Sequence, residues 1–168
     1  MKIATIALAS VAYLASLIPT ADAVEYMDQA LAAHNSARAQ YGAAPLTWNT
    51  ALTTGVGQVV HSCVVNRTSG PYGENLYTTP NLTGGIDEAM SVWMAEASKY
   101  NYNLAQGSYA TSNFTQVVWQ NTTRMACAQF QCPAGTILRQ QAALYTVCRY
   151  TLPGNVDGQY AKNVGHHV

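Results

Sequence analysis

The sequence predicts a single α+β domain, on three observations. Helical spacing of apolar residues dominates the amino-terminal part, strand-like alternation dominates the carboxyl-terminal part, and the chain beyond a short leader has the length of one domain. The leader comes first. Lys2 supplies a positive start, Ile3 to Leu17 is largely apolar, and Ala21-Asp22-Ala23 is a small-x-small cleavage site. Residues 1–23 therefore read as a secretory signal peptide cut after Ala23. The apolar run is too short for a membrane anchor, and no later segment is long and apolar enough to span a bilayer. Residues 24–168 form the predicted domain, with no internal repeat, and its expected location is extracellular.

The elements come in this order. Val24 to Tyr41 reads as a helix, with Met27, Ala30, Leu31, His34, Arg38 and Tyr41 at helical spacing and Gly42 as the stop. Ala43 to Trp48 is a linker containing Pro45. Asn49 or Thr50 caps a second helix running to about His61, with Leu52, Val56, Val59 and Val60 apolar. Gly55 and Gly57 weaken it by roughly 1 kcal/mol each relative to Ala. Asn66 to Gly85 is rich in Asn, Thr, Ser, Gly and Pro and reads as a long loop. Ile86 to Tyr100 is a third helix. Ile86, Met90, Trp93, Met94 and Ala97 make its apolar face, and Asp87 and Glu88 suit its amino-terminal dipole. Asn101 to Ser112 is a loop rich in Tyr, Asn and Gly. Phe114 to Trp119 fits either a strand or a short helix. Met125 to Gln131 and Leu144 to Tyr150 are strands, each carrying a cysteine, and Pro153-Gly154 ends the second. His166 and His167 read as a mobile tail.

Composition excludes several functions. Lys plus Arg and Asp plus Glu number 8 each, with no basic patch, so nucleic acid is not an expected partner. No HExxH and no GxSxG element is present, which disfavours a zincin protease and an esterase nucleophile. Cys63, Cys127, Cys132 and Cys148 follow a signal peptide and are even in number, so two disulfides are expected; four cysteines allow three pairings. Asn66, Asn81, Asn113 and Asn121 open glycosylation sequons. Asn81, in its Pro/Gly/Thr-rich surroundings, is the best of these acceptors. His34 and Arg38 lie one helical turn apart on one face, where a scaffold role is expected.

Four segments carry a family resemblance: His34-Asn35-Ser36-Ala37-Arg38, Gly73-Glu74-Asn75-Leu76, Asn113-Phe114-Thr115-Gln116-Val117-Val118-Trp119, and Tyr145-Thr146-Val147-Cys148-Arg149-Tyr150 continuing to Asn155. In this order they resemble the signature of the CAP superfamily, which unites cysteine-rich secretory proteins, antigen 5 and pathogenesis-related class 1 proteins. The short four-cysteine pattern looks fungal. The resemblance implies an α–β–α sandwich and the pairing Cys63–Cys132 with Cys127–Cys148. It also implies a central cavity in which two glutamates, here Glu74 and Glu96, join two histidines to hold a divalent cation. This chain has Arg67 and Asn113 where the family has those histidines. Arg is always charged and donates only, and Asn is a poor zinc ligand beside imidazole. No metal and no cofactor is therefore expected. Arg67 is expected to face Glu74, Glu96 or both, because unpaired buried carboxylates are costly.

The same resemblance implies small hydrophobic ligands. Tyr100, Tyr102, Leu104 and Tyr109 lie where fungal relatives bind sterols, although Gly107 replaces an expected aromatic. A groove beside Met90, Trp93 and Met94 would take a fatty-acyl chain. The expectation is thus a non-enzymatic binder of sterols or fatty acids, in lipid export or host interaction. Tyr- and Asn-rich loops also suit recognition of an extracellular protein partner. The paired glutamates also suit glycosidase-like hydrolysis, the weakest of the three readings.

Overall fold

A computed structural model describes residues 21–168, and the predicted leader up to residue 20 lies outside the described residues. The elements are α1 (Ala21–Ala39), β1 (Thr47–Trp48), α2 (Thr50–Ser62), β2 (Gly73–Thr79), α3 (Gly85–Ala95), α4 (Ser112–Val117), β3 (Arg124–Cys132), β4 (Ala143–Thr151) and α5 (Tyr160–Asn163). The four strands form one sheet in the order β1-β3-β4-β2. β1 is parallel to β3, and the other pairings are antiparallel.

Strand parity builds the layers. Successive residues of a strand point to opposite faces. Met125, Cys127, Cys148 and Tyr150 face a core completed by Ala30, Ala37, Trp93 and Phe114 from α1, α3 and α4. Ala126, Cys132, Tyr145 and Val147 face the other way, onto Val56 and Val60 of α2. The result is an α–β–α sandwich. The same parity separates the disulfides. Cys127 and Cys148 are directly opposed in the β3/β4 register and are bridged. Cys132 points to the α2 side and bonds Cys63 at the end of that helix, Cα–Cα 5.6 Å. The implied pairing is the one observed, and among the described residues no cysteine is free.

Several boundaries differ from the sequence expectation. α1 ends at Ala39 rather than Tyr41, because Gly42 takes a left-handed conformation (φ +67°) and turns the chain, burying Tyr41 beyond the helix. Asn49 caps α2, its side chain accepting from Ala51 N. The third helix stops at Ala95 and tightens into a 3₁₀ turn over Glu96–Lys99. Phe114 to Val117 fall in the short helix α4, and Val118 and Trp119 follow it. Four consecutive residues there, Phe114 to Val117, are buried, which is why no period could be read. The largest correction is β2, inside the stretch that reads as a loop. Its Gly, Asn and Thr content is turn-like, but seven residues pair in register with β4, from Gly73↔Tyr150 to Thr79↔Leu144. Partner strands override local preference.

The carboxyl-terminal end is also not a loose tail. α5 packs Tyr160 edge-on against Trp119, centroids 5.1 Å apart, and Asn163 Oδ1 accepts from Asn121 N at 3.0 Å. His166 stacks on Tyr102 at 4.2 Å, His167 meets Tyr41 at 5.3 Å, and Val168 N donates to Gln40 O at 2.9 Å. Among the described residues, no helix is long and apolar enough to cross a membrane.

Candidate functional site

The central cleft is assembled by β2, the turn after α3, and the start of α4. Glu74 on β2 sits opposite Arg149 on β4. Arg149 Nε donates to Glu74 Oε2 at 2.7 Å. Thr68 adds two donors to the same carboxylate, its backbone N to Oε1 at 2.8 Å and its hydroxyl to Oε2 at 2.9 Å. Arg149 is further held by Thr68 Oγ1 and lies 4.1 Å over the Tyr72 ring. Helix α2 makes room for this guanidinium, because a Cβ at Gly55 would collide with Arg149 Nη1.

Glu96 is the amino-terminal cap of α4. Its Oε2 accepts from Asn113 N at 2.9 Å and Phe114 N at 3.0 Å, two first-turn amides that lack partners within the helix. Its Oε1 accepts from Asn113 Nδ2 at 2.7 Å. Asn113 Oδ1 in turn accepts from Arg67 Nη2 at 3.1 Å, as does Ser112 Oγ, and Arg67 Nη1 donates to the Glu74 carbonyl.

Arg67 therefore pairs with neither carboxylate, against expectation. Among the described residues the one ion pair is Arg149–Glu74. The cross-strand register brings Arg149 to Glu74, and the α4 amides occupy Glu96. Arg149 lies in a motif legible in the sequence, but its place here becomes visible only once Gly73–Thr79 is seen as a strand. A cleft of about 420 Å³ opens along Arg67, Asn113, Leu76 and Tyr77, and a smaller one of about 210 Å³ along Arg67, Glu74 and Gln116.

These residues do not fit a divalent cation. Each glutamate is engaged by three hydrogen-bond donors, a guanidinium fills one imidazole position, and an amide anchored on both sides fills the other. Among the described residues, the one grouping with ligand spacing is His34 with Cys127 and Cys148, and both cysteines are bridged. His61 lines neither cleft; it donates to Gly57 O at 2.7 Å and packs on Phe130.

His34 and Arg38 are scaffold. His34 Nδ1 donates to Ala30 O and Nε2 accepts from Tyr150 OH, both at 2.8 Å. Burial drives its pKa down to about 4. Arg38, fully buried, donates to four carbonyls, of Ala44, Val117, Trp119 and Thr122, at 2.7–3.0 Å, and burial lowers its pKa to about 10. It ties α1 to the chain leaving α4.

The two expected lipid surfaces divide unevenly between core and surface. Trp93 is core, not groove, with its indole N–H donating to Leu76 O at 3.2 Å. Met90 and Met94 line an open cleft of about 450 Å³ between α1 and α3, floored also by Ala33, Ala37 and Tyr41. Tyr100, 7% exposed, packs against Tyr102 and Phe114. Tyr102 OH donates to Gly165 O at 3.1 Å. Leu104 (65% exposed) and Tyr109 (91%) are the large apolar groups this loop leaves on the surface. Gly107 leaves room for Tyr160, whose hydroxyl a side chain there would strike. Asn66, Asn81 and Asn121 are exposed. The Asn113 amide is occupied by Glu96 and Arg67.

A three-layer sandwich with its sheet bridged on both faces and a buried ion pair beside its central cleft defines a small disulfide-bonded α+β domain. The chain belongs to the CAP family, described as the cysteine-rich secretory protein family, whose model matches residues 31–150. It is similar to fruiting body protein SC7 of Schizophyllum commune, 36% identical over 150 residues, covering 82% of this chain and 71% of that protein. It is also similar to a probable pathogenesis-related protein of Candida albicans, 39% identical over 140 residues; the match covers 81% of this chain but 40% of that protein. The fold is shared with NaASP2, solved with Zn²⁺: TM-score 0.68 and 20% identity, covering 89% of this chain and 90% of that one.

Proposed function

We propose that this is an extracellular, non-enzymatic protein that binds small hydrophobic ligands, with a fatty-acyl chain lying in the cleft between α1 and α3. The cleft carries the reading. Its floor of Ala33, Ala37, Tyr41, Met90 and Met94 is apolar, while Gln40, Asp87 and His167 form a polar rim. An apolar floor with a few polar groups suits an amphiphile, and the flexible methionines adapt to chain shape. Sterol binding at the loop after α3 is supported by Leu104 and Tyr109, held out on a loop whose base is fixed by Tyr100 and Tyr102. Two disulfides favour an oxidising compartment. The engagement of each glutamate by three fixed donors speaks against a hydrolase, since those bonds hold both oxygens of each carboxylate.

The test is binding of radiolabelled palmitate and ergosterol to the secreted protein. Ser36 is exposed and lines the α1–α3 cleft, so Ser36→Trp fills it without disturbing the core. Palmitate affinity should fall by about tenfold or more in that variant, with ergosterol unaffected. Leu104→Asp should do the reverse. Failure of the unaltered protein to bind either lipid would sink the proposal.

A further inference from the structure

Arg67 is a cation that the fold fixes without neutralising. Its two Nη atoms are anchored on three neutral acceptors, the Glu74 carbonyl, Ser112 Oγ and Asn113 Oδ1. Its Nε finds no acceptor among the described residues. The nearby carboxylates are already committed, Glu74 to Arg149 and Glu96 to the α4 amides. The anchored guanidinium lines the cleft of about 420 Å³ whose walls are Val65, Leu76 and Tyr77 and whose lip is Tyr109. That volume lies within the range of small-molecule sites.

We propose that this cleft takes an organic monocarboxylate with an apolar or aromatic body. The carboxylate accepts from the remaining N–H groups of Arg67, and the body packs on Val65, Leu76 and Tyr109. A planar, pre-anchored guanidinium suits a carboxylate and loses little freedom on binding it. A neutral ligand would cover the charge without answering it, at a desolvation cost. Glu74 and Glu96 limit the charge accepted, which disfavours a phosphate dianion. This site is separate from the α1–α3 cleft, so its failure would leave palmitate binding there untouched.

The experiment titrates the isotope-labelled, secreted protein at pH 7 and low salt with phenylacetate, its neutral analogue 2-phenylethanol, and inorganic phosphate, followed by nuclear magnetic resonance. Phenylacetate should move the Arg67 Nε–H resonance and the amides of Arg67, Glu74 and Asn113, and bind about tenfold or more tighter than the alcohol. Arg67→Gln should erase that preference. Tyr109→Ala, at an exposed position that cannot unfold the core, should weaken both ligands and keep the preference for the acid. Equal binding of acid and alcohol by the unaltered protein would overturn the proposal. So would an Arg67→Gln variant that binds like the parent, phosphate binding tighter than phenylacetate, or no movement of Arg67 up to about 10 mM phenylacetate.

Discussion

Arg149 donates from Nε to Glu74 Oε2 across the β2/β4 ladder at 2.7 Å, with both side chains more than nine-tenths buried. This pair supplies, from within the chain, a positive charge to the buried Glu74 carboxylate. It also releases Arg67 from that task. The two arginines flank the same strand yet play different parts, Arg149 as a buried counter-ion and Arg67 as a fixed charge in a cleft.

Their substitutions should separate accordingly. Arg149→Ala leaves Glu74 buried and uncompensated and should cost about 3–5 kcal/mol. Arg67→Ala removes hydrogen bonds to neutral acceptors on an exposed side chain and should cost about 1 kcal/mol. Urea unfolding of both variants, with midpoints compared at equal slope, checks the order. An equal loss in the two would mean that Arg67 shares the burden of neutralising Glu74.

The two glycines of α2 give a sharper check of the same pocket. Nothing lies within 4 Å of a Cβ at Gly57, whereas one at Gly55 meets the Arg149 guanidinium. Gly57→Ala should therefore stabilise by about 0.5–1 kcal/mol through helix propensity. Gly55→Ala should destabilise despite the same propensity gain, because a guanidinium held by Glu74 and Thr68 must shift to make room. Thermal melts that shift in the same direction for both would contradict this account.

Much of the architecture is legible in the sequence because it rests on periodicity. α1, α2, β3 and β4 announce themselves through apolar spacing, and the family motifs carry the disulfide pairing. β2 is not legible. Gly73-Glu74-Asn75-Leu76 looks like a turn until β4 is placed beside it, and that pairing is non-local. Without the strand, the Glu74–Arg149 pair stays hidden and Arg67 stands as the expected counter-ion. The resemblance assigns Glu96 to the cavity, but its role as cap of α4 depends on the short helix that periodicity cannot distinguish from a strand. Trp93 and Tyr100 read in the sequence as surface for ligands; their apolar faces serve the core instead.

Acid should weaken the fold through His34. Its folded pKa is about 4, against 6.5 for the ordinary group, with burial as the main cause. Above pH 6.5 the ring is neutral in both states and contributes no pH dependence. As pH falls from 6.5 to 4, the unfolded chain takes up a proton that the folded chain refuses, so stability declines. The loss approaches about 3 kcal/mol near pH 4 and then levels off. Urea midpoints at pH 7 and pH 4.5 should differ less in His34→Gln than in the parent. An identical pH dependence in the two proteins would remove His34 as the source.

Zinc provides the last test of the remodelled cavity. The unaltered protein should show no specific zinc binding tighter than about 0.1 mM by calorimetry at neutral pH, because Arg67 repels the ion and each glutamate is held by three donors. The double variant Arg67→His with Asn113→His changes three things together. It removes the fixed positive charge, installs two imidazoles, and deletes the Asn113 Nδ2 bond that occupies Glu96 Oε1. The α4 amides still hold Oε2, so the freed oxygen can turn to a metal without uncapping the helix. The variant should therefore bind zinc at least about tenfold more tightly than the parent, and Glu96→Gln in that background should reverse the gain. Arg149 continues to neutralise Glu74, so Glu74→Gln should reduce zinc affinity less than Glu96→Gln does. Tight zinc binding by the unaltered protein, abolished by Glu74→Gln, would show instead that Arg149 yields its carboxylate to the ion.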